Sequence, residues 1–209
     1  MTEPTRTDPL TLARDLILRP SGLDGRLEHV FGEVLTHSVD FADVYFELSR
    51  QESWSLEDGI VKDGSASIEQ GVGVRALAGE KTGFAYSDEI LLPALTEASR
   101  AARAIAVHGA DRRVAAWHER SGHQLYLPTD PLQTLPDTEK VAWLERVDRE
   151  ARRIDPRIVH VTASLVAVHQ VVLIANSDGD LAADIRPLVR FNVSVLVEHN
   201  GRRGGGGAA

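Results

Sequence analysis

The sequence of 209 residues contains no cysteine, few aromatic residues and fewer basic than acidic residues. The absence of cysteine excludes disulfides, a cysteine nucleophile and any zinc site with cysteine ligands from this chain. Asp and Glu outnumber Lys and Arg by 31 to 23, which gives a formal net charge of −8. An acidic chain has no overall attraction for nucleic acid or for an anionic membrane surface, so neither is expected as a partner.

Long hydrophobic runs are also missing. No apolar segment approaches the roughly 20 residues that a membrane-spanning helix needs. The first eight residues are polar and of mixed charge, unlike a secretory signal. These features predict a cytoplasmic protein with a flexible N-terminus over residues 1–20.

The hydrophobic pattern predicts an α+β fold with antiparallel sheets and packed helices. Helical periodicity indicates helices at 23–38, 91–107 and 137–154. Period-two patterns and turn dipeptides predict an antiparallel meander of short strands over 42–86, and further strands at 158–176, 181–185 and 188–199. The stretch between 108 and 135 reads as a connector, and the glycine-rich residues 200–209 as a flexible linker that cannot pack.

One pattern repeats at an interval of 120 residues. The order helix, two strands, Asp-Gly turn and further strands occurs once before and once after the middle helix, with Asp58 and Gly59 corresponding to Asp178 and Gly179. This spacing predicts two similar α+β halves, at 21–86 and 137–199, within one domain at 21–199. A chance coincidence of spacing is the alternative.

Three candidate sites emerge from the residues. His118, Glu119 and His123 match H-E-x-x-x-H, which can hold zinc when the histidines share a helix face. A spacing of five residues turns them about 140° apart on a regular helix, and Gly122 weakens a helix. Two solvated histidines in a connector are therefore the favoured interpretation.

The second candidate is a glycine-containing strand, with Gly71, Val72, Gly73 and Arg75. Glycines within a strand mark a bulge or a close backbone approach, and a close approach could admit a peptide strand. The third candidate is the group of acidic residues in the first meander, Glu57, Asp58, Asp63 and Glu69. Such residues at turns usually bond to their own backbone rather than act in acid–base catalysis.

The sequence resembles the TldD branch of the TldD/PmbA family, formerly called modulators of DNA gyrase. The similarity lies in ordered motifs that cover nearly the whole chain, at residues 52–64, 70–76, 79–86, 130–133, 161–165, 181–190 and 193–197. The resemblance implies a cytoplasmic zinc metalloprotease that cleaves small or unfolded peptides and pairs with a PmbA (TldE) subunit or forms a homodimer.

In that family the zinc motif H-E-x-x-x-H follows the glycine run, which here is at 204–207, and a cysteine further on is the third ligand. The resemblance thus implies that zinc belongs to the full-length protein, and it assigns no catalytic or metal-binding residue to this chain. We expect an N-terminal substrate-chamber and dimerisation domain that is inactive alone, with residues 71–75 as an edge strand for peptide binding. A stand-alone peptide-binding or subunit-pairing module and a zinc site at His118, Glu119 and His123 are the alternatives.

Overall fold

A computed structural model describes residues 8–35, 39–105, 115–120 and 125–209. These residues form an α+β fold with a seven-stranded sheet. Within the described part of the chain, no helix has the length and apolar character required to cross a membrane.

The N-terminal segment is folded from residue 8 onward. Helix α1 (Pro9–Ala13) begins at Asp8, whose carboxylate accepts a hydrogen bond from the backbone N–H of Thr11 at 3.0 Å. A π-helical turn (Arg14–Leu18) follows. The prediction of a flexible segment over 1–20 is therefore wrong for residues 8–20, because apolar side chains of this segment enter the core, namely Leu10, Ala13, Ile17 and Leu18.

The remaining helices lie close to their predicted positions. Helix α2 (Leu27–Val34) begins four residues later than predicted, because Gly22 and Gly25 have φ angles of +68° and +75°, which no right-handed helix contains. Helix α3 spans Leu92–Ile105, and helix α4 spans Asp137–Ile154, as the periodicity predicts.

The strands are fewer and longer than the sequence indicated. They are β1 (Phe41–Glu57), β2 (Ile60–Ala78), β3 (Lys81–Ser87), β4 (His118–Glu119), β5 (Ile158–Asn176), β6 (Asp180–His199) and β7 (Arg202–Ala208). The sheet order is β3-β2-β1-β5-β6-β4, and β7 also pairs with β6. Pairing is antiparallel for β2 with β3 and for β6 with β7, whereas the two-residue β4 is parallel to β6.

The repeat of element order is present in the structure. Adding 120 to the bounds of β1, β2 and β3 gives 161–177, 180–198 and 201–207, close to the observed β5, β6 and β7. A helix precedes each set of three strands. The turns match as well, since Asp58 and Gly59 join β1 to β2, and Ser177, Asp178 and Gly179 lie between β5 and β6.

The glycine-rich residues 200–209 do not form an unpacked linker. Asn200 and Gly201 both have positive φ, 51° and 72°, which is the geometry of a type I′ hairpin turn. The turn directs β7 back along β6. The pairing begins with His199 opposite Arg202 and ends with Val193 opposite Ala208. Glycine suits this strand at Gly207, where a Cβ would lie 2.9 Å from the carbonyl oxygen of Val193.

The chain divides into two compact units, and the single domain at 21–199 stays a prediction. Unit 1 comprises residues 1–49, 69–128 and 170–186, and unit 2 comprises 50–68, 129–169 and 187–209. The core of unit 1 is large and includes Phe31, Phe46 and Leu95, all fully buried. The core of unit 2 is small, with Leu56, Leu144 and Ala163 at its centre.

Candidate functional site

The glycine-containing part of β2 forms the floor of a surface groove in unit 1. Residues Val72 to Ala78 of β2 pair with Ser87 to Lys81 of β3, so Gly73 lies opposite Tyr86, and Arg75 opposite Phe84. Side chains alternate along a strand, so Val72 and Val74 face the core while Gly71, Gly73 and Arg75 share the outer face. The groove has a volume of about 410 Å³.

Aromatic side chains form the walls of the groove. Phe84 and Tyr86 stack with ring centroids 6.5 Å apart and are 57% and 81% exposed. Tyr45 of β1 lines the groove together with them. Large aromatic residues with this exposure, clustered on one face of a sheet, are unusual for a surface that contacts only water.

Gly73 allows the Phe84 ring to lie across the floor. A Cβ at Gly73 would lie 3.0 Å from Cε2 and 3.1 Å from Cζ of Phe84, closer than side chains normally pack. At Gly71, a Cβ would lie 3.3 Å from the carbonyl oxygen of Ser87. In this structure the group closest to Gly73 is the Phe84 ring, and the group closest to Gly71 is the Ser87 carbonyl.

The predicted edge position of residues 71–75 is wrong. Strand β2 lies between β1 and β3 in the sheet, so the backbone of Val72 to Arg75 is already paired with β3. The outer strand here is β3. A peptide-binding role for Gly71, Val72 and Gly73 stays a prediction, with the groove in place of the edge.

Arg75 does not belong to the groove lining. Its guanidinium forms a two-pronged ion pair with the carboxylate of Asp43, and the pair raises the pKa of Arg75. The guanidinium is therefore paired with a carboxylate of the adjacent strand β1, and a peptide-binding role for Arg75 stays a prediction.

The groove carries three carboxylates. Glu47, Glu69 and Asp88 line it, and its lining contains no Lys or Arg. Both Glu47 oxygens accept from neutral donors, Oε2 from the Tyr45 hydroxyl at 2.7 Å and Oε1 from the Gln170 amide at 2.8 Å. Burial and the hydrogen bond to Glu47 raise the pKa of Tyr45 to about 12, which keeps this hydroxyl protonated.

The H-E-x-x-x-H candidate receives no support from the described residues. His118 and Glu119 form the exposed strand β4 rather than a helix, and Glu119 forms a salt bridge with Arg14 at 3.1 Å. His123 lies outside the described residues. Successive side chains of a strand point to opposite faces, so His118 and Glu119 are not set to act on one metal together.

In the described ranges, one group of three residues has ligand atoms close enough to share a metal ion: Glu57, Asp58 and His160 in unit 2. Asp58 is already engaged, since Oδ1 accepts from the Val161 N–H at 2.9 Å and from Arg152 at 2.5 Å, and Oδ2 lies 2.7 Å from His160 Nδ1. The Val161 backbone bond, followed by those of His160 and Arg152, lowers the pKa of Asp58 to about 2. These residues brace the β1–β2 turn against β5 and do not provide the open, multiply coordinated site of a catalytic metal.

A buried ion pair organises the rest of unit 2. Lys140 of α4 is 3% exposed, and its Nζ donates to both Glu52 oxygens at 2.8 Å and to the Leu132 carbonyl at 3.0 Å. Burial alone would lower the pKa of Lys140, but the hydrogen bonds to Glu52 and Asp137 outweigh it and raise the pKa. The ammonium thus ties the segment at residues 130–133 to the sheet.

Sequence reasoning missed the aromatic residues of the groove and its carboxylates Glu47 and Asp88, although it included Glu69 among the acidic residues of the first meander. The period-two pattern places these aromatic residues in strands but does not show which of them are exposed. Two glycines on one face, with aromatic residues at alternate positions of the following strand, are a signal that could have indicated a groove.

Comparisons with known proteins match two long parts of this chain to one protein family. Residues 42–106 match the family model described as PmbA/TldA metallopeptidase domain 1, and residues 130–209 match the PmbA/TldA metallopeptidase central domain. A protein of Haemophilus influenzae named metalloprotease TldD homolog is 45% identical over 197 residues, which are 93% of this chain and 41% of that protein. A protein of the same name from Buchnera aphidicola is 43% identical over 168 residues, covering 80% of this chain and 35% of its own length.

Solved structures show the same fold at lower identity. A putative modulator of DNA gyrase from Bacteroides thetaiotaomicron gives a TM-score of 0.70 at 15% identity, covering 89% of this chain and 44% of that one. TldE from Thermococcus kodakarensis gives a TM-score of 0.62 at 15% identity, covering 88% and 42%. The chain therefore spans about two fifths of the length of the proteins that it matches.

Proposed function

Because this chain belongs to the PmbA/TldD metallopeptidase family, we propose that it forms the substrate-handling and subunit-pairing part of a TldD-type zinc metalloprotease. Two domain models of the family together match 145 of its 209 residues (65 and 80), and the relatives that share over 40% identity with it are named metalloproteases. The substrates in this proposal are small or unfolded peptides.

The observation that carries the proposal is the groove of unit 1. Its floor is the strand backbone at Gly71 and the Phe84 ring that lies over Gly73, and the exposed ring of Tyr86 stands beside it. An extended peptide can place side chains against such rings, while its backbone hydrogen-bonds to groups at the groove margin. Recognition through rings and backbone tolerates many sequences, which suits an enzyme that accepts unfolded chains.

We place catalysis outside these 209 residues. The described residues offer one metal-compatible group, and its central carboxylate is bonded to Val161, Arg152 and His160 instead. This arrangement supports the proposal that the zinc of the enzyme is held by residues other than those described. The fold shared with TldE supports pairing with a TldE-type subunit, with a homodimer as the alternative.

Peptide binding by matched glycine variants tests this function. Gly73→Val places a side chain into the Phe84 ring and fills the groove, whereas Gly206→Val makes the same change in β7, where a Cβ meets nothing within 4 Å. Binding of a fluorescein-labelled unstructured peptide, followed by anisotropy, should weaken at least about tenfold for Gly73→Val and stay unchanged for Gly206→Val. Circular dichroism checks that both variants fold.

Equal affinity of Gly73→Val and the parent chain would remove the groove from peptide recognition. The non-catalytic role has its own test, which is incubation of the 209-residue chain with the same peptide and zinc. We expect no cleavage. Cleavage that a chelator blocks would contradict the assignment of catalysis to other residues.

A further inference from the structure

The groove contains a charge that its own residues do not neutralise. Three carboxylates line it, Glu47, Glu69 and Asp88, with no Lys or Arg among the lining residues. The partners of Glu47 are a protonated tyrosine and an amide, so its negative charge remains. Arg75, on the outer face of β2, is bound to Asp43. Arg186 interacts through its charge with Tyr45 and Glu47, but its guanidinium is itself bound to Asp184.

The aromatic rings, like the carboxylates, favour a positively charged ligand. The face of a tyrosine or phenylalanine ring is the negative part of its quadrupole and attracts a cation that lies over it. Tyr86 is 81% exposed and Phe84 57%, so both rings have surface available to such a contact. Rings and carboxylates together make a setting for a long side chain with an apolar stem and a cationic head.

From this combination we propose that the groove binds a basic side chain, arginine or lysine, of an extended peptide. The stem of the side chain lies over Gly71 and against the Phe84 ring that covers Gly73. The head lies against Tyr86, and Glu47, Glu69 and Asp88 surround it with negative charge. Arginine is the better ligand, because its planar guanidinium stacks on a ring and donates to two carboxylates at once. This inference rests on the proposed peptide-binding function and specifies which peptides are preferred.

Matched peptides test the preference with the 209-residue chain. Four labelled peptides of the form Gly-Ser-Gly-Xaa-Gly-Ser-Gly carry Arg, Lys, Gln or Leu at the central position, and anisotropy at low salt gives their dissociation constants. We expect the Arg peptide to bind at least about tenfold more tightly than the Gln peptide, with Lys between them. The preference should shrink as ionic strength rises, since the groove is open to solvent.

Two variants locate the preference in the groove. Glu69→Gln and Tyr86→Leu should each reduce the Arg-over-Gln ratio by about two- to fivefold, the size of one exposed cation–π or screened charge contact. Glu80→Gln is the matched control, because Glu80 is an exposed carboxylate in the β2–β3 turn that does not line the groove. It should leave the ratio unchanged.

The outcomes separate this inference from the proposed function. If the Arg and Gln peptides bind equally and Gly73→Val still abolishes binding, the peptide groove stands and the preference for basic side chains is overturned. Tighter binding of the Leu peptide than of the Arg peptide also overturns that preference. Binding of none of the four peptides, or of all four by Gly73→Val, overturns the peptide groove itself. Self-association of the chain that Tyr86→Leu abolishes would make the groove an interface between copies and would also overturn the inference.

Discussion

The ion pair between Lys140 and Glu52 allows a quantitative test of how unit 2 is stabilised. The side chains of Lys140 and Glu52 are 4% and 14% exposed, and the ammonium contacts both carboxylate oxygens at 2.8 Å. Glu52→Leu leaves a buried ammonium without its main partner, and such losses cost about 3–5 kcal/mol. Asp137→Asn alters the second partner, 3.2 Å from Nζ and 69% exposed, and should cost less than about 1 kcal/mol.

The double variant distinguishes a paired charge from a packing contribution. Replacing both residues, as Lys140→Met with Glu52→Leu, removes both charges and retains similar volume, so the double variant should be more stable than Glu52→Leu alone. Urea unfolding followed by far-UV circular dichroism measures these differences, and avoids tryptophan fluorescence because Trp54 donates to Glu52. If Glu52→Leu costs no more than Asp137→Asn, or if the double variant is the less stable one, the ion pair does not hold this unit together.

Two further predictions concern pH and packing. The pKa of Asp58 is about 2 in the folded chain against an ordinary 3.8, so its bonds to Val161, His160 and Arg152 stabilise the fold above pH 4, and this contribution is lost as the pH falls towards 2. Asp58→Asn should therefore flatten the dependence of the unfolding free energy on pH between pH 4 and 2. An unchanged dependence would contradict the assignment. Gly83→Ala should lower stability by about 1–3 kcal/mol, since its Cβ would lie 1.8 Å from the Ala102 carbonyl oxygen and push β3 from α3. Gly32→Ala, in helix α2 where a Cβ would meet open space, should instead stabilise the fold by about 0.5–1 kcal/mol. Thermal unfolding measures both variants, and midpoints that shift in the same direction would refute this reasoning.

The sequence predicted the fold class and the longest elements well. Helix α4 and strand β5 have strong periodicity bounded by Pro136, Pro156 and an Asn-Ser-Asp-Gly turn, and both were predicted with their observed bounds. Short strands were predicted where β1 and β2 run on for 17 and 19 residues. Polar residues such as Asp63 and Gly64 resemble a turn in the sequence, but in β2 they lie on an exposed strand, where backbone pairing rather than side-chain burial maintains the extended form.

The candidate site was predicted only in part. The sequence identified Gly71 and Gly73, because glycines within a strand pattern stand out, but their meaning depends on the Phe84 ring, which the strand register brings over Gly73. The prediction that residues 71–75 form an edge strand was wrong because periodicity shows which residues are extended but not which strand lies beside them. The folding of residues 200–209 was missed because glycine-rich composition suggests flexibility, whereas the Asn200 and Gly201 turn provides a pairing partner.

The division of the chain into units has a consequence for how this protein can be cut. The backbone passes between the units five times, after residues 49, 68, 128, 169 and 186. The two family domain models, at 42–106 and 130–209, therefore each include pieces of both units. A nick in the connector near residue 125 should yield two halves that are each incomplete and that regain structure when mixed, which makes the protein a natural candidate for fragment complementation rather than for dissection into autonomous modules.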